Sequence, residues 1–188
     1  MIKQRIAIIG GGASGMMAAI AAAGKGTQVC IYEKNERIGK KLLATGNGKC
    51  NFSNLYIEKD CYRGHNITKV MDIIQRFTPQ DCMDFFKDRG MLIKNRDGYL
   101  YPASEQASTV LDIFRMQLAY KKVDVVTECE IYDIKTSETN GLTSYTLTGS
   151  SMGVKKTYTA DKVIFAVGRV GSGFFSNWCD KNNIAQTN

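Results

Sequence analysis

The stretch from Arg5 to Glu33 constrains this chain more than any other: RIAIIGGGASGMMAAIAAAGKGTQVCIYE. Residues 6–9 are a short, branched apolar run of the kind buried in a parallel strand. Gly10, Gly12 and Gly15 follow in the G-x-G-x-x-G spacing. Residues 16–23 are small or apolar and uncharged and read as a helix, which Gly24 and Gly26 end. A second apolar run at 29–32 closes on Glu33. Strand, glycine turn, helix, strand and acid, in that order, are the full context that a dinucleotide-binding fingerprint requires.

Gly10 lets the chain leave the strand sharply, where a Cβ would clash. Gly12 lets the backbone come close to a pyrophosphate, and Gly15 lets the helix lie against the strand. The free N–H groups of Gly12, Ala13, Ser14 and Gly15 would then face the phosphates, with the positive end of the helix dipole behind them. Glu33, with Lys34 beside it, stands where an acid meets a ribose hydroxyl, and a carboxylate there repels the 2′-phosphate of NADP.

The length suits one core, or one core with a small appendage. With 44% hydrophobic and 23% charged residues the composition is that of a globular protein. The early apolar segment is broken by glycines and the later apolar runs by charges, so no membrane span is expected. The six cysteines form no C-x-x-C pair, which argues against zinc or a redox disulfide. With no secretory signal visible, the expectation is a cytoplasmic chain with reduced thiols, Cys30 and Cys129 being core. The net charge is +7, and residues 1–50 hold eight basic side chains against two acidic ones. That excess fits an anionic pyrophosphate; no nucleic-acid motif accompanies it, so no nucleic-acid partner is expected.

Residues 34–54, KNERIGKKLLATGNGKCNFSN, are too glycine-rich and polar for an element interior and read as a loop over which the cofactor extends. The fingerprint, the acid and the GKKLLATGNGKCNFSN stretch together resemble the amino-terminal part of a bacterial FAD-dependent oxidoreductase family. That family includes aminoacetone oxidase-like proteins and a bile-acid reductase of gut bacteria. GYLYPASEQASTVLDIF is similar to another region of the family, and the similarity covers most of residues 4–168. The resemblance implies an α/β, Rossmann-like FAD/NAD(P)-binding domain: a parallel sheet, an antiparallel β-meander and an inserted helical segment. It implies FAD as cofactor, with NAD(P)H a possible electron donor, and places Lys41, Thr45, Gly46, Asn47, Gly48, Cys50 and Asn51 along the FAD. It also brings the backbone of Ile131 to the adenine. Family members are longer; their remainder supplies a substrate domain and a segment that closes on the flavin, so this chain is expected to lack a carboxy-terminal half.

Further along, residues 68–90 read as two amphipathic helices. Val70, Ile73, Ile74 and Phe77 share a face of the first. Thr78-Pro79-Gln80-Asp81 starts the second, and Cys82, Phe85 and Phe86 form its core stripe. Asn95–Gly98 signals a hairpin turn between 91–93 and 99–101, and a helix is expected to reach about Tyr120 with Ala107, Val110, Leu111, Phe114 and Leu118 inward. Residues 123–126 suit a third parallel strand. Alternation from 130 to 158, with turns at Asn140-Gly141 and Met152-Gly153, predicts a three-stranded meander. Residues 162–168 form a last apolar strand that returns Ala166 and Gly168 to the cofactor crevice. There the chain departs from the family, which favours a threonine and paired glycines over Ala166-Val167-Gly168-Arg169. A short helix at 173–183 carries Trp178, and the last residues are expected to fray.

The organisation predicted is a single FAD-binding domain over 1–188: a dinucleotide unit with its flavin loop at 1–54, a helical insert with a hairpin at 55–121, strands and meander at 122–170, and a tail helix at 171–188. Its function reads as the FAD-binding portion of a flavin-dependent oxidoreductase acting on a small molecule. Two alternatives are a non-catalytic nucleotide-binding module and an NAD-dependent dehydrogenase. The latter needs a catalytic histidine or Tyr–Lys set, and the one histidine, His65, sits in a polar, irregular segment. No catalytic residue is assigned; Cys50 is the one candidate thiol, and a loop thiol is the simpler reading.

Overall fold

The computed structural model describes residues 4–64, 66–168 and 173–184. His65, Arg169 and the tail at 185–188 lie outside the described residues. The chain divides into two units, residues 1–40 with 114–188, and residues 41–113.

In the first unit β1 (Gln4–Ile9), β2 (Thr27–Tyr32), β6 (Asp124–Val126) and β10 (Lys162–Phe165) form a parallel sheet in the order β10-β1-β2-β6. The apolar runs predicted as strands are these strands. Ile8 and Ile31 are fully buried on them, and each buried side chain of this size is worth about 1.5–3 kcal/mol. Helix α1 (Ala13–Ala22) lies on β1, β2 and β10. Its buried residues, Gly15, Met16, Ala19 and Ile20, are the one face that a 3.6-residue period brings together.

The chain enters the meander after β6. Strands β7 (Cys129–Thr139), β8 (Leu142–Ser151) and β9 (Val154–Ala160) pair antiparallel in sequence order. Both turns fall where expected: Asn140-Gly141 and Met152-Gly153 all have positive φ, the two-residue geometry that matches strand twist. Ala7, Ile9 and Tyr32 form a core with Cys129, Ile131, Ile134, Leu147 and Ala160 of the meander. Cys30, expected inside, is half-buried instead. Helix α6 (Gly173–Lys181) adds Trp178 and Phe175 against Phe165, ring centroids 4.8 and 4.9 Å apart.

The second unit is built on a three-stranded antiparallel sheet, β3 (Ser53–Asn54), β5 (Tyr99–Pro102) and β4 (Ile93–Arg96), in the order β3-β5-β4. The hairpin is tighter than the four-residue turn predicted: Arg96 pairs with Tyr99, and Asp97-Gly98, at φ +49° and +89°, make the whole connection. Residues 34–54 are also more structured than a loop, since they hold the helix α2 (Lys40–Ala44), a 3₁₀ turn (Thr45–Gly48) and β3. Helices α3 (Ile67–Ile74) and α4 (Pro79–Lys87) are the predicted pair. Thr78 and Asp81 close a full capping box on α4, and Phe86 packs edge-on against Phe52 at 5.0 Å. The apolar face of α3 is less covered than its pattern suggests. Ile73 is 57% and Phe77 46% exposed, because α3 meets the described residues chiefly at the short 3₁₀ turn Lys59–Cys61. Helix α5 (Ala107–Tyr120) buries the five residues predicted to face inward.

Candidate nucleotide-binding site

The strand order places the glycine turn at a topological switch point. From β1 the chain moves through α1 to β2 on one side, while β10 pairs on the other, and ligands of such sheets bind outside the strand ends where the order reverses. Gly10 N donates to Tyr32 O at 2.9 Å, and Ala166 N to Ile9 O at 2.8 Å. The turn is thus tied to both neighbouring strands.

The glycines divide by what surrounds them. Gly10 has φ +108°, and a Cβ there would run into the Ala166 carbonyl. A Cβ on Gly15 would drive into the carbonyl oxygen of Gly10. These two are required by the fold itself. Gly12 is different: it caps α1 with ordinary backbone, φ −75°, gives the helix no side-chain cap, and has nothing within 4 Å of where a Cβ would be. Open space next to the uncapped N–H groups of Ala13, Ser14 and Gly15 is a cradle that a Cβ on Gly12 would enter. No side chain stands in the space at Gly12.

Glu33 lies against this turn and is 7% exposed. Its backbone is fixed from both sides, Glu33 N donating to Val126 O and Cys129 N to Glu33 O, each at 2.9 Å. Oε2 accepts from Gly11 N at 2.6 Å; Oε1 accepts from Asn35 N at 2.8 Å and from the Asn35 side-chain amide. A carboxylate offers about four acceptor positions, so one on Oε2 remains for a further donor such as a ribose hydroxyl. The acid therefore also holds the turn, a role its spacing did not reveal.

Three residues that the fingerprint does not weight complete the turn. A Cβ on Gly11 would meet Ile38 Cγ2 at 2.5 Å and Glu33 Cβ at 3.1 Å. Ile38 is buried, and Gly39 N donates to Gly11 O at 2.8 Å. The signals were the unbroken GGG run and the Ile-Gly pair after the acid. Lys34 is exposed beside Glu33. Ile131 lies two residues after Cys129, with its side chain in the core. Gly168, at φ +73°, is exposed just past β10.

The second glycine region belongs to the other unit. Gly46, Asn47, Gly48 and Cys50 all have positive φ, between 53° and 81°. Gly46 is further required because its Cβ would lie 2.7 Å from Asn51 N. Thr45 Oγ1 donates to Leu42 O at 2.7 Å, Cys50 N to Thr45 O at 3.0 Å, and Asn51 Nδ2 to Ser53 O and Leu100 O at 2.9 and 3.0 Å. Lys41 and residues 45–48 are exposed, whereas Cys50 is buried. Burial pushes the Cys50 thiol up, away from the thiolate that a reactive cysteine needs. No cluster of three or more potential metal ligands, and no helix long and apolar enough to cross a membrane, occurs among the described residues.

Comparison with known proteins follows the same lines. Residues 4–179 match the HI0933-like protein Rossmann domain. A 3-dehydro-bile acid delta(4,6)-reductase of Clostridium scindens is 43% identical over 136 residues, 71% of this chain and 33% of the relative. A ribosomal RNA dihydrouridine synthase of Escherichia coli is 29% identical over 150 residues, 79% of this chain and 37% of the relative. This chain thus spans about a third of the length of these curated relatives. Among solved structures, Thermovibrio ammonificans THI4 superposes with a TM-score of 0.63 at 20% identity, over 98% of this chain and 64% of its own. The p-nitrophenol 4-monooxygenase PnpA of Pseudomonas putida gives 0.55 at 13% identity, over 91% and 42%. These likenesses show the fold, and with the match over residues 4–179 they show that the chain belongs to the family of HI0933-like proteins, as their Rossmann domain.

Proposed function

We propose that this chain is the FAD-binding portion of a flavin-dependent oxidoreductase. The observation that carries the reading is the open cradle at Gly12, set before the uncapped start of α1 with the Glu33 carboxylate beside it. Backbone N–H groups of residues 12–15 would hold the pyrophosphate, and Glu33 Oε2 a ribose hydroxyl. The remaining candidate contacts are Lys34, Ile131, Ala166 and Gly168 in the first unit, and Lys41, Thr45, Gly46, Asn47, Gly48, Cys50 and Asn51 in the second. When bound, FAD supplies the electron chemistry, and the chain supplies binding and orientation.

The relatives' names suggest the reaction class. A 3-dehydro-delta(4,6) steroid and a uracil ring share a carbon–carbon double bond conjugated to a carbonyl. A substrate of that kind would gain a hydride equivalent and a proton across the double bond, with NAD(P)H as the source of electrons. A small molecule is the leading substrate, since the reductase is the more similar relative. An RNA nucleoside is a second reading, favoured by the dihydrouridine synthase likeness against the expectation of no nucleic-acid partner. The matched relatives are about three times the length of the aligned part, and a further segment such as theirs would complete the substrate site.

The test is to load the purified chain with FAD, remove free cofactor, add NADH or NADPH under air, and measure nucleotide oxidation and peroxide. Bound FAD with turnover supports the oxidoreductase reading. Bound FAD without turnover supports the non-catalytic module. Retention of NAD but not FAD supports the dehydrogenase.

A further inference from the structure

The loop at 45–50 has an expensive backbone. Asn47 and Cys50 carry side chains in the left-handed region that L-residues avoid, alongside Gly46 and Gly48. Such a loop keeps its shape only where surrounding groups fix it. One of those groups is Glu105, which lies in the same unit and itself has φ +54°. Its Oε1 accepts from Lys94 Nζ at 2.5 Å and from the Arg96 guanidinium, both on β4. Its Oε2 is 3.5 Å from Nζ of Lys49, the residue that follows the glycine turn. The carboxylate thus ties the loop to the hairpin. An isolated exposed ion pair holds little. Here β4 already orders the carboxylate, so Lys49 meets a fixed partner. Lys94 and Arg96 hold the carboxyl down to about 2, and it stays ionised at every working pH.

We propose that Glu105 is a positioning residue for the glycine loop at 45–50, acting through Lys49. It holds in place the left-handed backbone that the proposed function sets against FAD. The holding of the loop stands on the geometry alone; its service to the cofactor rests on that functional reading.

The test is amide hydrogen exchange in the flavin-free chain, followed by FAD titration, for Glu105→Gln, Lys49→Met and the double variant. Glu105→Gln keeps the shape and removes the charge. Exchange at Lys49 and Cys50, whose N–H groups bond Gly46 O and Thr45 O at 3.1 and 3.0 Å, is expected to speed up while α5 amides stay protected. If the unpinned loop is closed about a tenth of the time, the FAD Kd rises about tenfold in each single variant. The double variant should be no worse than Glu105→Gln alone, because Lys49 acts on the loop through that carboxylate. Unchanged loop exchange in Glu105→Gln overturns the proposal and leaves the FAD reading intact. Faster exchange throughout α5, or single effects that multiply in the double variant, also overturns it. A loop that loosens while FAD affinity stays the same refutes the contact between loop and FAD, and with it the service of Glu105 to the cofactor.

Discussion

Gly12→Ala separates the cofactor's demands from the fold's. The added methyl meets no atom within 4 Å, and φ is −75°, so the folded chain accommodates it. Alanine is a poorer N-cap than glycine by about 0.5 kcal/mol, and the reduced freedom of the unfolded chain returns about 0.4–1 kcal/mol. The two nearly cancel, so Tm should move by no more than about 2 °C. The cofactor meets the opposite situation, since the methyl occupies the space through which a pyrophosphate reaches the N–H groups. Losing two hydrogen bonds to a charged acceptor, each about 1.5–3 kcal/mol, removes about 3–6 kcal/mol. That is a rise in FAD Kd of roughly 10²–10⁴-fold. Thermal unfolding and FAD fluorescence titration on the same preparation measure both quantities. Unchanged FAD affinity in a folded Gly12→Ala chain refutes the cradle, and collapse of the fold refutes the division of roles among the glycines.

Other perturbations follow from the same geometry. Gly15→Ala forces a Cβ into the Gly10 carbonyl and should cost about 3 kcal/mol in chemical denaturation, as severe overpacking does. Glu33→Ala leaves the Gly11 N–H without its acceptor; it should lower stability by about 1–3 kcal/mol and weaken FAD binding in the same titration. Thr78→Ala removes the capping box on α4 and should cost about 1 kcal/mol without changing FAD affinity. The Asp161 carboxyl is held below the usual range by its hydrogen bonds with Arg5. Its stabilising contribution is therefore full above the unfolded value near pH 4 and is lost as pH falls through the lower folded value. Asp161→Asn should flatten that part of the acid-denaturation curve.

The parts of the fold that pattern revealed are those where one physical requirement dominates. Residues 6–9 and 29–32 are apolar because both faces of a parallel strand are covered, and the two positive-φ turns of the meander each carry the glycine that such a turn favours, Gly141 and Gly153. Thr78 and Asp81 stand at the capping-box spacing just ahead of an apolar helical stripe, and they form the box. What stayed hidden depends on partners distant in sequence. Gly11 is fixed by Ile38 and Glu33, a demand that nothing local announces. The two-residue strand Ser53–Asn54 exists because β5 offers it an edge. Glu105 gains its importance only when Lys49, Lys94 and Arg96 converge on it. At the candidate site, the sharp glycine turn after β1 and the acid at the end of β2 were legible as geometry; the use of Glu33 as a brace for the turn was not.

On the proposed function, backbone amides at the start of α1 hold the diphosphate of FAD. Amide chemical shifts of the isotope-labelled chain, followed during titration with FAD and separately with ADP, address it directly. The amides of Gly12, Ala13, Ser14 and Gly15 should shift with both ligands, and the Asn140-Gly141 turn with neither. Binding that leaves those four amides unmoved, or no binding of either ligand, would contradict the account.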